Sequence, residues 1–177
     1  TGRIALVGLI LATVGTWALL PVPVLPQPDG PYAVGSQVFR WVDASRAETA
    51  TAEPSDRRNV IVQAWYPAAP GAAGPHSTYI DGLGRLPPMV SGVPRFVMAR
   101  FGRIDTHATT DAPLSPAKAT WPVVVFSPGY GAPRAAYTDL VSRLASRGYV
   151  VLALDHPYEA GVTQLAAGHA VTLGPDG

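Results

Sequence analysis

The stretch Val123 to Pro157, "VVVFSPGYGAPRAAYTDLVSRLASRGYVVLALDHP", constrains the fold more than any other part of the chain. Trp121 to Ser127 is a continuous apolar run, the pattern of a strand buried on both faces. A helix is predicted over about Pro133 to Arg147. Tyr137, Leu140, Val141 and Leu144 recur there at i, i+3, i+4 and i+7 and form one apolar face. Pro133 suits its first turn and Gly148 the position just past its end, and Asp139 and Arg143 are spaced to pair across one turn. Tyr149 to Asp155 is a second buried strand. Strand, crossover helix and parallel strand make a right-handed βαβ unit, so the fold class is α/β.

The upstream half adds a sheet edge. Ser36 to Asp43, "SQVFRWVD", and Asn59 to Ala68, "NVIVQAWYPA", read as two strands that form an antiparallel pair. The polar "ASRAETATAEPSDRR" between them reads as loop, as does "PAAPGAAGP" after them. Residues 76–120 read as irregular, apart from a short helix in "PRFVMARFG" between Pro94 and Gly102. So long an irregular stretch points to a lid or a binding loop, or else to a misread element. "GVTQLAAGHAVTLG" reads as a small hairpin. A hydrophobic fraction of 47% supports a packed core, and a net charge of +1 without a basic stripe argues against a nucleic-acid partner. With 0 cysteines the sequence has neither disulfides nor thiolate metal ligands.

The N-terminus carries a different signal. "RIALVGLILATVGTWALL" has no charge between Ile4 and Leu20, and as a helix those residues would reach roughly 25 Å, near the lower limit for a bilayer. Arg3 precedes the run, and no Lys or Arg follows before Arg40, which orients the N-terminus to the cytoplasm and the rest outside. A signal peptide and a buried core helix are the other readings. No small-x-small cleavage site stands out near Leu20, and the following "PVPVLPQPDGP" suits a spacer leaving a membrane. The expected organisation is a transmembrane helix or uncleaved anchor at 1–21, a Pro-rich linker at 22–35 and the α/β domain at 36–177, extracytoplasmic and membrane-anchored. Thr1 in place of Met, and the ending "LGPDG", read as the N-terminal part of a longer protein.

A turn between a parallel strand and its helix lies at the carboxyl end of the sheet, where α/β proteins place their sites. Three chemistries compete for Ser127-Pro128-Gly129-Tyr130-Gly131. As a dinucleotide fingerprint the turn offers Gly129 and Gly131, but Arg134 occupies the place of the third glycine. A P-loop would need Gly-Lys-Ser/Thr, which is absent. In an oxyanion loop, glycines on either side of a donor residue let substrate approach a backbone N–H aimed at developing negative charge.

The segments "NVIVQAWYPA", "WPVVVFSPGYG" and "YTDLVSRLASRGYVVLALDHP" resemble the platelet-activating factor acetylhydrolase family, the lipoprotein-associated, phospholipase A2-like type of α/β-hydrolase with its bacterial relatives. The resemblance covers about residues 31–165. It implies the N-terminal part of an α/β-hydrolase sheet and carboxylic ester hydrolysis through an acyl-serine, on lipid esters with short or oxidised acyl chains. It implies no cofactor and no metal. Tyr130 then donates its backbone N–H to the oxyanion hole, with Gly129 and Gly131 flanking it. Pro128 stands where the family usually carries a histidine. Proline removes any imidazole hydrogen bond there but leaves the donor at Tyr130.

The family's nucleophile sits in a Gly-x-Ser-x-Gly elbow, followed by an aspartate and a histidine. This sequence contains no such elbow, so all three are expected beyond Gly177. Ser127 reads as a turn hydroxyl bonded to local backbone, His156 as a structural histidine, and Asp155 as a carboxylate that fixes a loop. His76, His107 and His169 lack ligand-like spacing and read as solvated. The rival to an enzyme is a non-catalytic, membrane-tethered module that keeps the fold without the triad.

Overall fold

The computed structural model describes residues 22–85 and 100–174, with Gly2, Arg3, Leu6, Gly8 and Met98 besides. The expected membrane segment and most of the "PRFVMARFG" helix lie outside the described residues. No helix among the described residues is long and apolar enough to cross a membrane.

Five strands form one sheet: β1 (Val34–Ala47), β2 (Arg57–Pro67), β3 (Ala108–Thr110), β4 (Val123–Phe126) and β5 (Val150–Asp155), in the order β3-β1-β2-β5-β4. β1 and β2 are the expected antiparallel pair, in register from Val34↔Pro67 to Asp43↔Arg58. The first strand runs further than expected. The ladder resumes at Ala47↔Arg57 after an irregularity, so the polar loop is only the tip, 48–56. β3 lies in the stretch read as irregular. Its three residues carry no alternation to read, and it pairs in parallel with β1. β4 and β5 pair in parallel, Val123↔Val150 to Phe126↔Ala153, and the crossover between them carries the helix α1 (Thr138–Ser146). The expected terminal hairpin is present as β6 (Thr163–Gln164) and β7 (Ala170–Val171).

The core lies on the face of the sheet that α1 covers. Val34, Trp65, Val151 and Ala153 meet Val141 and Ala145 of the helix, and Val124, Phe126, Tyr137 and Leu144 pack at the border. Burying a valine such as Val141 fully is worth about 1.5–3 kcal/mol. The buried side of α1 is centred on Thr138, Val141, Ser142 and Ala145, and Leu140, expected on the apolar face, is exposed. The small hydroxyl residues let the helix approach closely. Thr138, Ser142 and Ser146 donate to carbonyls three residues back on the same chain, at 2.8, 3.1 and 2.8 Å. The helix begins later than expected: Pro133 is extended, Arg134–Tyr137 forms a 3-10 turn, and only then does α1 start. Gly148 ends it with φ +98°, as its place in the sequence predicts.

The expectation that the first parallel strand is buried on both faces fails. β4 is the last strand on its side of the sheet among the described residues, and Val123 and Val125 are 59% and 69% exposed on the face away from α1. In the Pro-rich segment, Gly30 N–H donates to Ser146 Oγ and Tyr32 N–H to Ser146 O, while Arg147 pairs with Asp29 at 2.8 Å.

Candidate functional site

Because β4 and β5 run parallel, their carboxyl ends emerge side by side, and the two segments that follow, 127–134 and 155–161, are forced together. They are bonded at three levels. First, Ser127 Oγ lies 2.8 Å from His156 Nε2. The expected partner of Ser127 was local backbone. The parallel register instead brings the residue after one strand opposite the residue after the other. Second, Gly131 donates its N–H to Glu159 O at 2.8 Å and accepts from Gly161 N–H at 3.0 Å. Third, Arg134 N–H donates to Asp155 Oδ1 at 2.8 Å, and the Arg134 guanidinium pairs with Asp155 Oδ2. Asp155 therefore fixes a loop, as its position at the end of the strand predicts.

Within the turn, Ala132 N–H closes on Gly129 O at 3.0 Å, and Gly131 sits at φ +83°, a conformation that L side chains rarely adopt. The segment 155–161 is wound just as tightly. Glu159 and Ala160 both donate their N–H groups to His156 O at 3.0 Å, and Tyr158 is held at φ +65°. A bulky residue in that region stores strain that surrounding contacts must hold in place.

Two successive N–H groups of the turn, those of Gly129 and Tyr130, have no acceptor among the described residues, and Tyr130 is 81% exposed. A cleft of about 260 Å³ lies beneath the turn, beside Arg134, and a separate one of about 210 Å³ opens at Tyr130, walled by Arg58, Pro157, Tyr158 and Glu159. A third cleft, of about 440 Å³ and lined by Ile80, Leu83 and Met98 among others, does not include Tyr130.

Below the turn lies a buried polar network that the sequence reading missed. Arg134, 4% exposed, donates Nε–H to Gln63 Oε1 at 2.9 Å and Nη2–H to Asp81 Oδ1 at 2.7 Å, in addition to its pair with Asp155. Gln63 Nε2 donates onward to Ser36 Oγ at 2.8 Å, and Asp81 is shared with Arg40. Burial pushes the Arg134 guanidinium below its usual range, and the nearby Asp81 charge opposes that shift. A guanidinium stays charged in proteins, so its carboxylate partners are obligatory at this depth. A charged residue one turn after a glycine loop, with an aspartate closing the next apolar strand, was the signal available.

The histidines read as solvated divide. His76 Nδ1 and His107 Nδ1 flank Asp105 at 3.2 and 3.5 Å, and His107 Nε2 bonds Leu25 O at 3.0 Å, so His107 is a half-buried tie to the Pro-rich segment. No group of three metal-type ligands occurs among the described residues.

Comparison with known proteins gives a consistent picture. The family model described as platelet-activating factor acetylhydrolase, isoform II matches residues 21–169. A probable 1-alkyl-2-acetylglycerophosphocholine esterase of Arthroderma benhamiae is 26% identical over 172 residues, 85% of this chain and 41% of that protein. A platelet-activating factor acetylhydrolase of Cavia porcellus is 26% identical over 141 residues, 77% of this chain and 29% of that one. Among solved structures, a ferulic acid esterase from Streptomyces cinnamoneus superposes with a TM-score of 0.67 at 32% identity, over 86% of this chain and 41% of its own. The chain thus spans about two-fifths or less of the length of the relatives it matches.

Proposed function

The chain belongs to the platelet-activating factor acetylhydrolase family, and from that premise we propose that it supplies the oxyanion-hole side of a serine-dependent carboxylic ester hydrolase. The observation that carries the reading is the free N–H of Tyr130, set between segments that are hydrogen-bonded on either side of it. A donor held in place before the reaction stabilises the tetrahedral intermediate without reorganising as charge develops. Gly129 and Gly131 leave the approach to that N–H clear of Cβ atoms. A serine attacks the ester carbonyl, an acyl-serine forms and the alcohol leaves; water then releases the acid. This sequence has no Gly-x-Ser-x-Gly elbow, so the reading assigns the serine, its histidine and its aspartate to a part of the protein other than these residues. The names of the matched relatives support lipid esters with short acyl groups as substrates. Arg58, Tyr130 and Tyr158 line the cleft at the donor together with Glu48 and Glu159, a mixed lining compatible with a polar lipid ester.

We place the site outside the cytoplasm, tethered through residues 4–20, on the strength of Arg3 before the apolar run and the uncharged stretch behind it. A reporter fused after Pro31 and active only outside the cytoplasm supports this placement, and cytoplasmic activity alone removes it. For the chemistry, the natural full-length chain is tested for labelling by a serine-directed fluorophosphonate and for hydrolysis of glycerophospholipids with acetyl or palmitoyl at the same ester. Labelling together with a preference for acetyl is expected. A chain that neither labels nor hydrolyses either ester refutes the reading.

A further inference from the structure

We propose that Arg134 is a positioning residue for the oxyanion turn, acting through Asp155, and that its guanidinium fork is required because three separate elements converge on it. The inference rests on the ester-hydrolase reading above. Its basis is that the guanidinium gathers acceptors from three parts of the chain: Gln63 on β2 and Asp155 at the end of β5, which are neighbours in the sheet, and Asp81 in the segment before the 3-10 turn Leu83–Arg85. Each of the three guanidinium nitrogens takes one of them. A lysine carries the same charge but presents it from a single nitrogen and cannot reproduce three planar directions.

The link to the turn is short. Asp155 uses one carboxylate oxygen for the Arg134 side chain and the other for the Arg134 backbone N–H, 2.8 Å away. The side chain therefore holds the carboxylate that holds the backbone four residues after Tyr130. The other two ties, Ser127 to His156 and Gly131 to Glu159 and Gly161, lie at and near the exposed end of the sheet, whereas Arg134 and Asp155 are both 4% exposed. Asp81 is partly exposed and keeps Arg40, but Asp155 is buried, so losing the fork leaves the Asp155 carboxylate without its cation. The turn then relaxes at its buried end, and a displacement of about 1 Å in a catalytic donor costs on the order of 10²-fold in rate.

The test uses the natural full-length chain and Arg134→Lys, with Asp155→Asn as a second variant. Active sites are counted by the fluorophosphonate burst, so that misfolded protein does not enter the rates. Per active site, kcat for an acetyl ester is expected to fall about 10- to 100-fold while KM changes by less than about threefold. Affinity for a trifluoromethyl ketone, which forms an oxyanion in the site, falls in step with kcat/KM, and affinity for the product acid does not. Amide hydrogen exchange at Gly131 and Ala132 rises in both variants relative to the β1–β2 ladder. Unchanged exchange at those amides, or an Arg134→Lys protein with the wild-type kcat per active site, overturns the proposal. A wild-type chain without esterase activity refutes the ester-hydrolase reading instead, and the exchange measurement still decides whether Arg134 holds the turn.

Discussion

Replacing Gly131 by alanine separates backbone conformation from packing at the candidate site. A Cβ at this position has no atom within 4 Å, so no clash contributes to the cost. What remains is the price of an L side chain at φ +83°, about 1–2 kcal/mol. The alternative is for the turn to move to negative φ. That breaks the bonds to Glu159 O at 2.8 Å and from Gly161 N–H at 3.0 Å, each worth about 1 kcal/mol net. Both routes give a loss of about 1–2 kcal/mol, read as a lower urea midpoint at constant slope. Because Ser127 and Arg134 anchor the turn on both sides, the left-handed conformation is expected to persist, and kcat to fall by less than about tenfold. Gly129→Ala is the control. Its Cβ would meet only the Tyr137 hydroxyl at 3.8 Å, an ordinary contact, and its φ lies outside the left-handed region, so its midpoint stays within about 0.5 kcal/mol of wild type. A Gly131→Ala protein as stable as wild type, or a Gly129→Ala protein equally damaged, refutes the reasoning.

The exposed edge at β4 predicts self-association of the 177-residue chain through Val123 and Val125. Val125→Lys should shift it toward monomer in light scattering, since a lysine on an edge strand opposes further pairing, and an unchanged mass distribution counts against that edge as the contact. The Asp43 carboxyl is held down to about 2 from 3.8, first by the Ser45 hydroxyl and then by Arg46. A depressed folded pKa stabilises the fold above the unfolded value, and this contribution disappears as pH falls from about 4 to about 2. Carbon NMR of the Asp43 carboxyl should give a midpoint near 2 that rises in Ser45→Ala, and a midpoint at the ordinary value contradicts the assignment.

The parts of this fold that were legible in the sequence are those whose signal is local and repeated. The βαβ unit, the antiparallel pair, the terminal hairpin and the glycine after α1 each follow from periodicity or backbone chemistry within one short window. β3 was not legible, because three residues are too few to alternate and its partner lies more than seventy positions away. The outer face of β4 is apolar yet exposed, because apolarity records what a strand can cover, not which neighbours the described chain provides. At the site, the Ser-Pro-Gly-Tyr-Gly turn and the anchoring role of Asp155 could be read from their position at strand ends. The Arg134 network could not. Gln63 and Asp81 are separated from Arg134 by 71 and 53 residues, and only the folded sheet brings them together.

The central claim is that the backbone N–H of Tyr130, not its side chain, serves the reaction. The most direct measurement replaces that one amide by an ester linkage in the natural full-length chain, leaving the phenol and the rest of the turn in place. The N–H has no acceptor among the described residues, but the ester carbonyl of Gly129 is a weaker acceptor for Ala132 N–H, so the stability read from the urea midpoint should fall by no more than about 1 kcal/mol. In the ester-linked protein kcat is expected to fall by on the order of 10²-fold or more, the scale of removing one oxyanion donor, while Tyr130→Phe retains most activity. Full activity in the ester-linked protein would contradict that claim.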